Sequence, residues 1–188
     1  MEQLDFLRNA GETRRFHTMP ILRPQNIAEH SWHVVMLIYL MYGQNEPGIS
    51  FELVMAGLTH DMAEHKVGDL PSPAKRAMDE RLQIKGSGTF KQAWNDMEQE
   101  ILKEQGFDWE SQLSVDELQK LKVADAMEGA LYCVRERMMG NQLIAPAFLN
   151  FSKYIAEELG ERDDVGDHKI AWEVLDYVNT QWEIACGN

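Results

Sequence analysis

The chain has 188 residues, 44% hydrophobic and 26% charged, with a net charge of −13 and a pI near 4.8. So acidic a balance argues against non-specific binding to DNA or RNA, whose phosphates demand a basic surface, but a small phosphorylated ligand needs only a few local cations. The longest strongly apolar run, VVMLIYLMY (Val34 to Tyr42), is about half the length that crosses a bilayer, and the acidic N-terminal stretch carries no secretory signal.

Taken in order, the elements are almost all helical. Asn26 with Glu29 three residues on is a helix-start pattern, and apolar residues then run to Tyr42 before Gly43. Ser50 precedes Phe51, Val54, Met55 and Leu58 at helical spacing, predicting a helix from Phe51 to about His65. Ser72 followed by Pro73 predicts another start, and Thr89 with Gln92 and Ser114 with Glu117 are capping boxes. Ile170, Val174, Tyr177, Trp182 and Ala185 give the last segment an amphipathic stripe. GQNEPG, VGDLPSP, KGSG and GERDDVGD read as loops, KGSG as the most flexible. The expectation is all-α: one compact domain over residues 1–188, a bundle of seven or eight helices. Cys133 and Cys186 form neither a metal knuckle nor a disulfide framework, which suits a reducing cytoplasm. Five tryptophans and many apolar helix faces exceed what one small core needs, which points to a homo-oligomer.

Polar residues interrupt these stripes. In THDMAEHKVGDLPSPAK (Thr59 to Lys75), His60 and Glu64 are four apart, and Asp61 continues an apolar stripe. Asp125 follows Leu118 and Leu121 where an aliphatic residue is expected, with Lys122 pointing the same way, and His30 and His33 open a mostly buried helix. A buried carboxylate is costly without a cation. His30, His60, Asp61 and Asp125 supply two imidazoles and two carboxylates, a donor set for Mn, Fe, Co, Ni or Zn. Each also has an ordinary alternative: a lone inward histidine is more often a hydrogen-bonded core residue, Glu64 can pair with Lys66, Asp69 can cap a turn, and Phe16 can be core.

The pattern H…HD…D resembles that of the HD-domain metal-dependent phosphohydrolases. Arg15-Phe16 ahead of AEHS, then HDMAE, GDLPSPAK and KVADAMEG, resemble more narrowly the YfbR-type 5′-deoxynucleotidases and the phage-encoded dATP triphosphohydrolases. The matching blocks span about 60% of the chain. The resemblance implies His30, His60, Asp61 and Asp125 as metal ligands, with room for a second, weaker divalent ion near His17 or His65. It implies Glu64 and Asp69 as the catalytic acids that orient or activate water and support the leaving group. Arg15, Lys75 and Lys122 match cations around the phosphates. Phe16 stands where the family usually has Trp against the nucleoside, and Thr18 and Met19 would shape the base pocket. His33 is read as structural.

What such a site would do follows from its residue types. A divalent ion polarises a phosphoryl oxygen and lowers the pKa of its water toward neutrality; a carboxylate takes the proton, and cations neutralise the loose transition state. The implied reaction is hydrolysis of a 2′-deoxyribonucleotide at its 5′-phosphate, a small-molecule partner. The short chain and the RRFHT segment lean toward dATP giving deoxyadenosine and triphosphate. Release of orthophosphate from a dNMP is the alternative. A cyclic-nucleotide or alarmone hydrolase, or a helical binding module without activity, comes behind these.

Overall fold

Side chains cap four of the helices where the sequence predicts starts. In the computed structural model, which describes residues 2–44, 48–82, 89–160 and 168–187, Asn26 accepts the Glu29 N–H and Ser50 accepts that of Leu53. Thr89 with Gln92 and Ser114 with Glu117 close reciprocal capping boxes. The Asn26 cap is one-sided, because Glu29 turns its carboxylate to Arg23 at 2.6 Å. The KGSG stretch, half of the GQNEPG loop and all but the first residue of GERDDVGD lie outside the described residues.

The order among the described residues is α1 (Glu2–Gly11), α2 (Ile27–Tyr42), α3 (Phe51–Thr59), α4 (Glu64–Val67), α5 (Ser72–Leu82), α6 (Phe90–Gln105), α7 (Val115–Met138), α8 (Ala145–Leu159) and α9 (Lys169–Cys186). The helix expected over Phe51 to His65 is therefore two, α3 and the single turn α4, joined by a tight turn at 60–63. Counting that pair as one leaves the expected eight. No described helix is long and apolar enough to cross a membrane.

The longest helix, α7, is the centre: α2, α3, α8 and α9 all pack on it. Val34, Ile38 and Met41 of α2 meet Ala124, Met127 and Ala130 of α7 in one continuous apolar core. A second cluster joins Phe6 and Ala10 of α1 to Met62, Ala63 and Leu102. It braces the turn that follows His60-Asp61.

Two predicted faces are rotated. Phe51 and Leu58 are exposed, and α3 instead buries Leu53, Ala56 and Gly57. On α9 the buried line is Ala171, Leu175 and Val178, while Tyr177 faces out. Both helices carry apolar residues on more than one side; on α3 Ala56 and Gly57 turn inward with Leu53, and on α9 Ala171 does so with Leu175 and Val178. Trp182 does pack, stacked on Phe148 at 3.9 Å.

Gly57 marks the closest approach of α3 to α2: an added Cβ would lie 2.9 Å from Val35 Cγ2 and 3.3 Å from Ile38 Cδ1. Gly57→Val should therefore cost about 1–3 kcal/mol through overpacking, read as a lower urea midpoint with an unchanged slope. An unchanged midpoint would mean the helices can part freely here.

Candidate active site

His30 sits in the second turn of α2, wholly buried, and its Nδ1 lies 2.6 Å from Glu128 Oε2 on α7. His60 caps the C-terminus of α3, with Nδ1 3.1 Å from the Gly57 carbonyl. A carbonyl only accepts, so His60 Nδ1 carries the proton, and the Glu128 carboxylate asks the same of His30. Both Nε2 atoms are thereby left facing a shared interior, 3.4 Å apart.

Asp61 and Asp125 complete the group. His30 Nε2 is 3.4 Å from Asp61 Oδ2 and 3.1 Å from Asp125 Oδ1, and His60 Nε2 is 3.3 Å from Asp61 Oδ1. One donor atom from each of the four residues lies within 4.8 Å of the others. Both imidazoles are tied back through Nδ1, and oxygens of two carboxylates face them. The set fits a borderline divalent transition ion, with the outward hydrogen bonds that orient such ligands already made.

Charge balance explains the neighbours. Arg15 bridges the two acids, paired with Asp61 and 3.7 Å from Asp125. Burial works to raise the Asp125 pKa, but hydrogen bonds from His30 and His60 with the Arg15 charge hold it well below the usual range. Burial likewise opposes ionisation of Glu128, yet His30 and His33 outweigh it and hold it at about 2. For His60, burial favours the neutral ring and the two aspartates overcome it, raising it to about 9.

The turn after α3 changes which acid faces which. Met62, Glu64, His65 and Lys66 donate to carbonyls three residues back, so the chain tightens to three residues per turn and i, i+3 side chains eclipse. Glu64 thus falls in with Asp61, not above His60 as a continuous helix predicts. Burial, then Asp61 and Asp69, push its carboxyl up to about 10, and Glu64 Oε2 is buried with no hydrogen-bond partner among the described residues. Burial also raises Asp69, opposed by Arg15 and by the Phe16 N–H that it accepts.

The other predicted residues divide. Phe16 follows Arg15 with φ +55°, the single non-glycine in the left-handed region among the described residues. That strain costs on the order of 1–3 kcal/mol and persists only where surroundings enforce it. Here the ring stacks on Tyr132 at 4.5 Å and meets Phe151 edge-on. Thr18 is exposed, and Met19 packs against the core. Lys75, expected among phosphates, is held 3.2 Å from Glu98 and 5.8 Å over the Trp94 ring. Lys122 is exposed on α7, with no ion pair among the described residues. His17 lies 3.6 Å from Asp69, His33 3.6 Å from Glu128, and His65 packs edge-on to Phe6. An open cleft of 720 Å³ runs from His60 and Asp61 along Glu98, Asp96 and Asp108. Sequence reasoning missed Glu128 and Gln25, whose amide donates to Glu128 Oε1 at 2.6 Å, and read Tyr132 only as part of the inward stripe that holds Asp125. The signal for Glu128 was there: an acid three residues after Asp125 shares its helix face.

A His/His-Asp/Asp constellation contributed by α2, the turn that ends α3, and α7 of an all-α bundle defines an HD-type metal-dependent phosphohydrolase. Residues 4–166 match the sequence model of the YfbR-like 5′-deoxynucleotidases, and the chain belongs to that family. Three solved structures share the fold. The cyanophage S-2L HD phosphohydrolase DatZ, bound to dA and one catalytic Zn2+ ion, is 20% identical with a TM-score of 0.69, covering 96% of each chain. The PH0347 protein of Pyrococcus horikoshii OT3 is 17% identical at TM-score 0.69, over 96% of this chain and 98% of its own. An HD-domain phosphohydrolase of Listeria innocua (lin2634) is 13% identical at 0.65, over 97% and 89%. No curated protein matches the sequence.

Protein purified without chelator should carry stoichiometric transition metal that Asp125→Ala abolishes. Glu128→Gln should weaken metal affinity by about 10–100-fold, measured by chelator competition; equal affinity would mean His30 needs no support. Glu64 gives a prediction about metal-free protein. Its folded pKa lies above the unfolded value near 4.5, so the folded state holds the proton longer and stability falls as pH rises from there toward about 10. Glu64→Gln should remove that loss, so thermal melts in EDTA should show the variant gaining on wild type as pH rises, with no difference below the carboxylate range. A pH-independent difference would place the carboxyl in water.

Proposed function

We propose that this phosphohydrolase cuts 2′-deoxyribonucleotides at the 5′-phosphate, and that its substrate is dATP, released as deoxyadenosine and triphosphate. The observation that carries the reading is the convergence of His30, His60, Asp61 and Asp125 beside Arg15. The choice of dATP is supported by the likeness to DatZ along 96% of both chains, that protein being bound to dA. When bound, a divalent ion supplies Lewis-acid polarisation of a phosphoryl oxygen and acidifies water. His30, His60, Asp61 and Asp125 would hold it.

The chain's own groups do the rest. Glu64, whose buried carboxyl lies close to Asp61 and Asp69, would orient the attacking water and, once ionised, take its proton. Asp69, which accepts the Phe16 N–H, supports the leaving oxygen and ties that step to the ring beside the nucleoside. Arg15 neutralises phosphoryl oxygens bidentately. Phe16 packs on the nucleoside, Thr18 borders the base, and Lys75 and Lys122 meet the outer phosphates once Lys75 leaves Glu98.

A second reading is a dNMP phosphatase, favoured by the charge distribution. Of the three expected cations only Arg15 stands at the centre, since Lys75 is paired and Lys122 is exposed. One arginine suits a monophosphate better than a triphosphate. Incubation of the purified protein with dATP or dAMP and Mn or Co, followed by 31P NMR, separates the two: tripolyphosphate from dATP is expected, orthophosphate from dAMP alone supports the second reading, and inertness toward every deoxynucleotide rejects both.

A further inference from the structure

We propose that Glu136, near the C-terminal end of α7, is a positioning residue that sets the shape of the loop beyond Arg15, the part that carries Phe16. The inference rests on the reading of Phe16 as the ring beside the nucleoside. Residues 13–27 leave and rejoin the bundle through a neck of two backbone hydrogen bonds: Arg15 N–H to the Gln25 carbonyl at 3.0 Å and Ile27 N–H to the Thr13 carbonyl at 2.9 Å. The neck alone leaves some ten residues without regular pairing.

Those residues are fastened to α7. Leu22 N–H donates to Glu136 Oε2 and Arg23 N–H to Glu136 Oε1, each at 2.8 Å. Asn141 Nδ2 donates both to Glu136 Oε2 at 2.7 Å and to the Pro20 carbonyl at 2.9 Å. The Tyr132 hydroxyl donates to the Arg23 carbonyl at 2.6 Å, while its ring lies against Phe16. Asp125, Glu128, Tyr132 and Glu136 recur at i, i+3, i+7 and i+11, so one face of α7 runs from the donor cluster to the loop.

Glu136 is fully buried, and none of its contacts is an ion pair among the described residues. A buried carboxylate persists only if donors converge on it. The donors here come from the loop and from Asn141, one backbone N–H to each oxygen. The residue lies roughly 16 Å along the helix from Asp125, too far to touch the reacting phosphate. Its two oxygens serve the loop.

Glu136→Gln tests this with almost no change of volume. One acceptor oxygen becomes an NH2 group directed at a backbone N–H, so half the clamp opens. Hydrogen exchange at the Leu22 and Arg23 amides should quicken about tenfold. KM for the nucleotide turned over, dATP or dAMP, should rise by a similar factor, while kcat and metal affinity stay within about twofold. Asn141→Ala should act in the same direction, and in a Phe16→Ala background Glu136→Gln should add little to KM. Unchanged exchange at these amides, or an equal fall in kcat, KM-derived affinity and metal affinity, would overturn the proposal. If wild type turns over no deoxynucleotide, the functional reading fails separately, and exchange alone then judges the clamp.

Discussion

Asp61 and Asp125, drawn together beneath two histidines, dictate what surrounds them. Each carboxylate oxygen approaches His30 Nε2, at 3.4 and 3.1 Å, in a place where ionised acids are costly and repel one another. Only positive charge relieves that arrangement. Arg15 supplies some of it, and a divalent ion suits the inward-facing imidazole nitrogens. Burial first, and the Asp61 charge after it, explain why Glu64 and Asp69 further along the chain resist ionisation.

α7 holds this arrangement because it is the helix on which the others pack. It contributes Asp125 to the cluster, Glu128 to the back of His30, Tyr132 beneath Phe16 and Glu136 to the loop. Gly129 lies among them, and an added Cβ there would meet the Phe151 ring at 2.6 Å. Phe151 in turn stands edge-on to Phe16. A small residue on α7 thus admits the ring that helps enforce the left-handed backbone of Phe16.

Helix starts were legible because capping is local: Asn26, Ser50, Thr89 and Ser114 need only the N–H groups of the next turn. The donor residues were legible because polar groups broke apolar stripes at Asp61 and Asp125. The relation between Glu64 and its neighbours was not, since nothing in THDMAEHK announces that the helix tightens after Thr59. Nor was the partner of Lys75, a long flexible side chain whose contact with Glu98 depends on how α5 and α6 pack. The faces of α3 and α9 were misread because both carry apolar residues on more than one side.

Local pattern by itself determined an all-α chain, its principal helix starts, and which imidazoles and carboxylates stood out of place. Only the tertiary structure decided that their donor atoms lie within 4.8 Å, which nitrogen of each ring faces inward, and that Arg15, not Lys75 or Lys122, meets the acids. Spacing along a helix fixes direction within that helix. Distance between helices is set by packing of the whole core, through residues such as Gly57 and Gly129 that carry no chemistry of their own.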